Sequence, residues 1–141
     1  MIVTLRRSVP LQDLADMLAV PSTLSLWTGV GPRALAARYC CYTRHWGFWA
    51  GERVVAAGGL YAHIGDGRVE RLEAWFACRP EASRAIRSIA RHMRLTLALI
   101  AETERVEIFA RVASGWEPGR RLARAVGFRL LEAGAVETWG L

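Results

Sequence analysis

The feature that most constrains this chain is the stretch from Trp46 to Val112, where strand-like and helix-like patterning follow each other in a fixed order. WGFWA (46–50) and VVAAGGLYAHIG (54–65) are rich in β-formers and flank a turn around Gly51, so they read as a hairpin. A second turn, Gly65-Asp66-Gly67, leads into RVERLEAWFAC (68–78) and completes a three-strand antiparallel meander. Arg79-Pro80-Glu81 then opens the longest helix, with proline near the first helical position and an acid in the first turn. Ile86, Ile89, Met93, Leu97 and Ile100 form its apolar face, which places its end near Ala101. RVEIFARV (105–112) is again a strand. A strand, a long helix and a further strand cannot be joined as a hairpin. They require a crossover, hence one parallel pair within the sheet.

The flanking segments extend the same plan. IVTL (2–5) is a short strand, and LQDLADMLA after Pro10 repeats Leu11, Leu14, Ala15 and Leu18 at helical spacing. PSTLSLWTGVGPRA (21–34) carries turn formers and reads as a loop, followed by a short helix in RALAARYCC. SGWEPGRRLARAVGF is a loop and a helix closed by Gly127, and FRLLE and AVETWGL are two final strands. The predicted order is β-α-α-β-β-β-α-β-α-β-β: an α/β chain with a central, mostly antiparallel sheet, one parallel crossover and helices on both faces. With 141 residues, 52% of them apolar, and no repeat or linker, residues 1–141 are expected to form a single domain.

GERVVAAGGLYA and RRLARAVGFRLLEAG sit in this order at the right separation, and they resemble two segments of the GNAT N-acetyltransferase fold. The first resembles the family's second and third strands, the second its terminal helix, Gly-Phe and following strand. The resemblance covers nearly the whole chain. It implies an acetyl-CoA site at the turn between the fourth strand and the long helix. There the family pattern is Gln or Arg, two residues, Gly, one residue, then Gly or Ala, so that backbone N–H groups meet the pyrophosphate. Here the stretch is CRPEASRA: Arg79 matches the first position, whereas Ala82 and Arg84 stand at the small-residue positions. No glycine occurs between Gly67 and Gly115.

Two readings of the turn follow. In one, guanidiniums of Arg79, Arg84 and Arg87 hold the phosphates in place of backbone amides, with Ala82 beside them. In the other, the one we adopt, Arg84, Arg87, Arg91 and Arg94 are a solvated helix face. The resemblance also implies a carboxylate base on the fourth strand, for which Glu70 and Glu73 are the candidates; the simpler reading pairs them at the sheet rim with Arg68 and Arg71. The family's acid, a tyrosine four residues before the helix-ending glycine, is replaced by Ala123.

A GNAT-like layout with a glycine-free turn resembles the small GNAT-like internal virion and assembly proteins of short-tailed phages. That resemblance implies a structural role without catalysis or cofactor, in contact with other virion or assembly proteins or with further copies of itself. Trp46, Trp49, Trp75 and Trp116 are then candidate interface anchors. An acetyl-CoA-dependent N-acetyltransferase with an atypical phosphate loop is the alternative. An arginine-rich nucleic-acid module ranks below both: all 19 basic residues are arginine, giving a net charge of +6, but they are spread along the chain among acids. Cys40, Cys41 and Cys78 form no zinc pattern with His45, His63 or His92, so no metal is expected. LTLALIA (95–101) is too short to span a bilayer and no signal-peptide run opens the chain. A place in the host cytoplasm, with incorporation into a virion, is the corresponding expectation.

Overall fold

The computed structural model describes residues 1–19 and 30–141, so most of the loop expected at 21–34 lies outside the described residues. The elements are β1 (Thr4–Arg6), α1 (Leu11–Leu18), α2 (Pro32–Tyr42), β2 (Thr43–Ala50), β3 (Arg53–Gly65), β4 (Arg68–Cys78), α3 (Ile86–Glu104), β5 (Glu107–Ala113), α4 (Glu117–Val126), β6 (Arg129–Glu132) and β7 (Val136–Gly140). This is the order expected from the sequence. The strands form one seven-stranded mixed sheet in the order β1-β2-β3-β4-β5-β7-β6. Its parallel pair is β4 with β5, in a register that sets Arg71 beside Glu107 and Glu73 beside Phe109. The chain returns by the hairpin of β6 and β7, with β7 inserted antiparallel against β5.

Three boundaries differ from expectation: α2 begins at Pro32, inside the expected loop, and α3 differs at both ends, running three residues past Ala101. The long helix does not begin regularly at Pro80: residues Pro80–Ala85 form a 3-10 turn, with the Ala82 N–H donating to the Arg79 carbonyl at 3.1 Å, and the α-helix proper runs from Ile86 to Glu104. The β3–β4 turn is tight because Asp66 and Gly67 both adopt positive φ, 51° and 73°, the pairing that matches the twist of a two-residue hairpin.

The described residues divide into two compact units. The first comprises residues 1–60 and 75–86; the second comprises residues 61–74 and 87–141. The core of the first joins Leu14, Met17 and Leu18 of α1, Leu35, Ala36 and Tyr39 of α2, Val54 and Ala57 of β3, and Trp75 and Ala77 of β4. Trp75 is its centre. Its indole stacks on Tyr39 (centroids 4.3 Å apart, planes at 15°) and donates to Thr43 Oγ1 at 3.2 Å. That packing explains Gly59, since a Cβ there would run into the Trp75 indole and the Arg44 carbonyl.

In the second unit α3 buries Ile89, Ala90, Met93 and Leu97, while α4 buries Ala123 and Val126. Gly127 ends α4 at φ 110°, and the Phe128 N–H returns to the Ala123 carbonyl at 2.9 Å, closing a Schellman-type cap. Glu137, buried on β7, accepts from the Trp139 indole at 3.3 Å and lies at ion-pair distance, 3.1 Å, from Arg120 Nε.

Candidate active site

Alternation along the strands gathers a polar group in the second unit. Tyr61 and His63 are two apart on β3, Arg71 and Glu73 two apart on β4, and Phe109 and Arg111 two apart on β5, so each pair projects to one side of its strand. Glu73 is only 3% exposed, and both its oxygens are occupied. Oε1 lies 2.9 Å from His63 Nε2, and Oε2 accepts from Arg111 Nε at 2.7 Å. Such a carboxylate is stable inside a fold because two charge-assisted partners replace its water.

The arrangement fixes the histidine as well. A carboxylate only accepts, so the His63 nitrogen facing it is the donor of this contact. The ring is further held by the edge of Tyr61, at 5.2 Å and 85°, and by Phe109 at 5.3 Å. Its side chain remains 35% exposed. Arg71 covers the Phe109 face at 4.5 Å from the centroid.

The two acids named from the sequence therefore part. Glu73 is not a rim carboxylate paired with Arg68 or Arg71: it is buried and held by His63 and Arg111, from two other strands. Glu70 is exposed on the alternate side of β4, its carboxylate folded over Gly65 where a Cβ would otherwise sit.

The turn at 79–85, in the first unit, is equally informative. Arg79 is a structural clamp: its Nη2 donates to Asp13 Oδ1 at 2.7 Å, its Nε to the Val54 carbonyl at 3.0 Å, and its backbone N–H to the Val55 carbonyl at 2.8 Å. Pro80 has no N–H, and that of Ala82, a fully buried residue, is already bonded to Arg79. A glycine-lined backbone cradle for a pyrophosphate is thus not formed. Arg84 is exposed and makes no ion pair among the described residues; Arg87, which opens α3 in the second unit, is likewise exposed and unpaired. Both are exposed, as the reading of these arginines as a solvated face expects.

Two ionisations mark the same turn. The Arg53 guanidinium, hydrogen-bonded to Glu81 at 2.5 Å, holds the Glu81 carboxyl below the usual carboxylate range. Burial pushes the Cys78 thiol above its ordinary value.

The tryptophans are placed differently from the anchors expected. Trp46 and Trp75 are buried at 9% and 6% exposure, which removes both from surface contact. Trp49 is half-buried beneath Arg6, whose guanidinium carbon lies 4.7 Å from the ring centroid. Trp116 is half-buried against Gly119 at the head of α4. Ala123 is buried in α4, so the position of the family's tyrosine offers no acid. No group of three or more histidines, cysteines or acids among the described residues could hold a metal ion. No described helix is long and apolar enough to cross a membrane.

A mixed sheet of this order, with one parallel pair bridged by its longest helix and a returning C-terminal hairpin, is the fold of the GNAT acetyltransferases. An acetyltransferase of the GNAT family from Bacillus anthracis superposes with a TM-score of 0.66 at 10% identity, over 99% of this chain and 93% of the other. A domain from Methanocaldococcus jannaschii gives 0.74 at 11% identity, covering 99% and 97%. The yncA protein of Salmonella typhimurium, solved with its cofactor acetyl-CoA, gives 0.65 at 18% identity, covering 99% and 92%. No protein-family model and no curated protein matches the sequence. Identities this low define the fold and leave the chemistry to be argued from the residues. The particle role expected from the sequence gains no support from these matches.

Proposed function

We propose that the protein is an acetyl-CoA-dependent N-acetyltransferase whose phosphate grip is made by arginine side chains. The observation that carries this reading is the buried Glu73, with one oxygen on His63 and the other on Arg111, in a chain with an acetyltransferase fold. Acetyl-CoA supplies an acetyl group activated as a thioester. The chain's own residues handle the proton. His63 accepts it from the incoming ammonium at Nδ1, Glu73 stabilises the imidazolium that results, and as the amide C–N bond forms and the thioester C–S bond breaks the imidazolium returns a proton to the departing thiolate. Arg111 fixes the carboxylate in the plane that keeps Oε1 on the histidine. Arg87, at the head of α3 in the same unit as Glu73 and unpaired among the described residues, is the guanidinium suited to the cofactor's phosphates, while Arg79 is committed to Asp13 and β3.

Calorimetry with acetyl-CoA, followed by turnover with a panel of primary amines, tests the assignment. Saturable binding tighter than about 1 mM, worth ~4 kcal/mol, is expected, and Arg87→Ala should weaken it. His63→Gln should lower kcat by roughly 10²–10⁴-fold while leaving acetyl-CoA affinity unchanged. No saturable binding by the folded protein at millimolar acetyl-CoA would end the proposal.

A further inference from the structure

The outer face of α3 shows a pattern that neither the fold nor the proposed chemistry uses. Leu95 and Leu99, one turn apart, are 62% and 64% exposed. On the same side lie Arg91, one turn before Leu95, and Glu102, about one turn beyond Leu99; both are exposed and unpaired among the described residues. Ile89, Met93 and Leu97 occupy the opposite, buried side. Along α3 the charge also runs against the helix dipole. Arg91 and Arg94 lie in the N-terminal half, Glu102 and Glu104 in the last turn, and there is no acid in the first turn and no base in the last.

This stripe is palindromic in charge. The midpoint between Arg91 and Glu102 and the midpoint between Leu95 and Leu99 differ by half a residue, about 0.75 Å along the axis. One two-fold axis near Leu97 therefore sets Arg91 of each copy against Glu102 of the other and packs both leucine pairs between them. An isologous interface has this requirement, since every contact must be made twice by the same patch. Antiparallel packing would also bring the basic half of each helix to the acidic half of its partner and oppose the two dipoles. A lipid surface would match one sign of charge, and an unrelated partner has no need of the symmetry.

We infer that the protein forms a homodimer through antiparallel contact of α3, centred on Leu95 and Leu99 and flanked by two Arg91–Glu102 pairs. The contact is small, so a dissociation constant on the order of 10 µM is expected. Sedimentation velocity from micromolar to a few hundred micromolar, with circular dichroism as the control for folding, reads it directly. Leu95→Glu with Leu99→Glu should give a folded monomer throughout. Arg91→Glu alone and Glu102→Arg alone should each weaken dimerisation by about tenfold or more, because like charges then face each other. Arg91→Glu with Glu102→Arg should return the affinity to within about threefold of the parent, a rescue that a general loss of stability would not show. A parent protein monomeric at a few hundred micromolar, a dimer indifferent to the leucine changes, or a folded double charge variant that stays monomeric would each overturn the inference.

Discussion

Glu73→Gln is the substitution that most directly tests how the candidate site is held. The side chain keeps its size, so no cavity opens, but the two oxygens become one oxygen and one NH2 group. Glu73 now accepts from Arg111 Nε at 2.7 Å and meets His63 Nε2 at 2.9 Å. A glutamine can accept from one of these and must turn a donor toward the other. Loss of one charge-assisted bond costs about 1.5–3 kcal/mol. The penalty for a stranded guanidinium is reduced because the Arg111 side chain is itself 35% exposed and can recover water. A net destabilisation of about 2 kcal/mol follows, or roughly 5–8 °C in Tm for a domain of this size. Thermal denaturation of Glu73→Gln, Arg111→Met and the double variant gives the coupling, expected at about 1.5 kcal/mol or more. If the cycle closes with a coupling under about 0.3 kcal/mol, the buried network does not hold the carboxylate and the account of the site fails.

Gly59→Ala should destabilise by about 2 kcal/mol or more in chemical denaturation, since the added Cβ meets the Arg44 carbonyl and the Trp75 indole; Gly58→Ala, whose nearest obstacle is the Trp75 carbonyl at 3.3 Å, should cost less. Glu81→Gln should lower Tm at neutral pH and match the parent in acid. The Glu81 carboxyl is held low in the folded protein, so its contribution is present above the ordinary carboxylate range, near pH ~4.3, and is lost as pH falls through the folded value. A Tm difference that persists unchanged below about pH 3 would refute the link. Burial keeps the Cys78 thiol protonated, so mass spectrometry after alkylation near pH 7.5 should find exposed Cys41 labelled before Cys78, with Cys78 gaining only as pH rises past about 9.

Order and topology were legible because they depend on patterning that the chain carries locally. Gly51 and Asp66-Gly67 place the hairpin turns, the apolar repeat from Ile86 to Leu97 gives the long helix, and a helix between strands requires the parallel pair. The site was legible only in part. Glu73 could be named as a strand carboxylate, but its burial depends on His63 and Arg111, ten residues before it and thirty-eight after, on two other strands. Nothing in the alternation of β3 distinguishes His63 from a surface histidine. The fate of the tryptophans was hidden for the same reason: whether Trp75 faces water or Tyr39 is decided by α2, not by its own strand.

Arg79 shows why motif and chemistry have to be weighed separately here. It occupies the first position of the family's phosphate pattern, yet its guanidinium joins α1, through Asp13, to the Val54 carbonyl of β3. An arginine so committed cannot also follow a mobile pyrophosphate without releasing a carboxylate and a carbonyl that it now satisfies. The turn after it has become 3-10, taking up the Ala82 N–H, and Ala82 itself is fully buried. Restoring glycine at Ala82 alone would therefore not recreate a backbone cradle, since the amide would remain bonded to Arg79. On the reading proposed above, anion contact falls to an exposed side chain, Arg87, and proton transfer to Glu73 and His63, and neither role calls on the missing glycines.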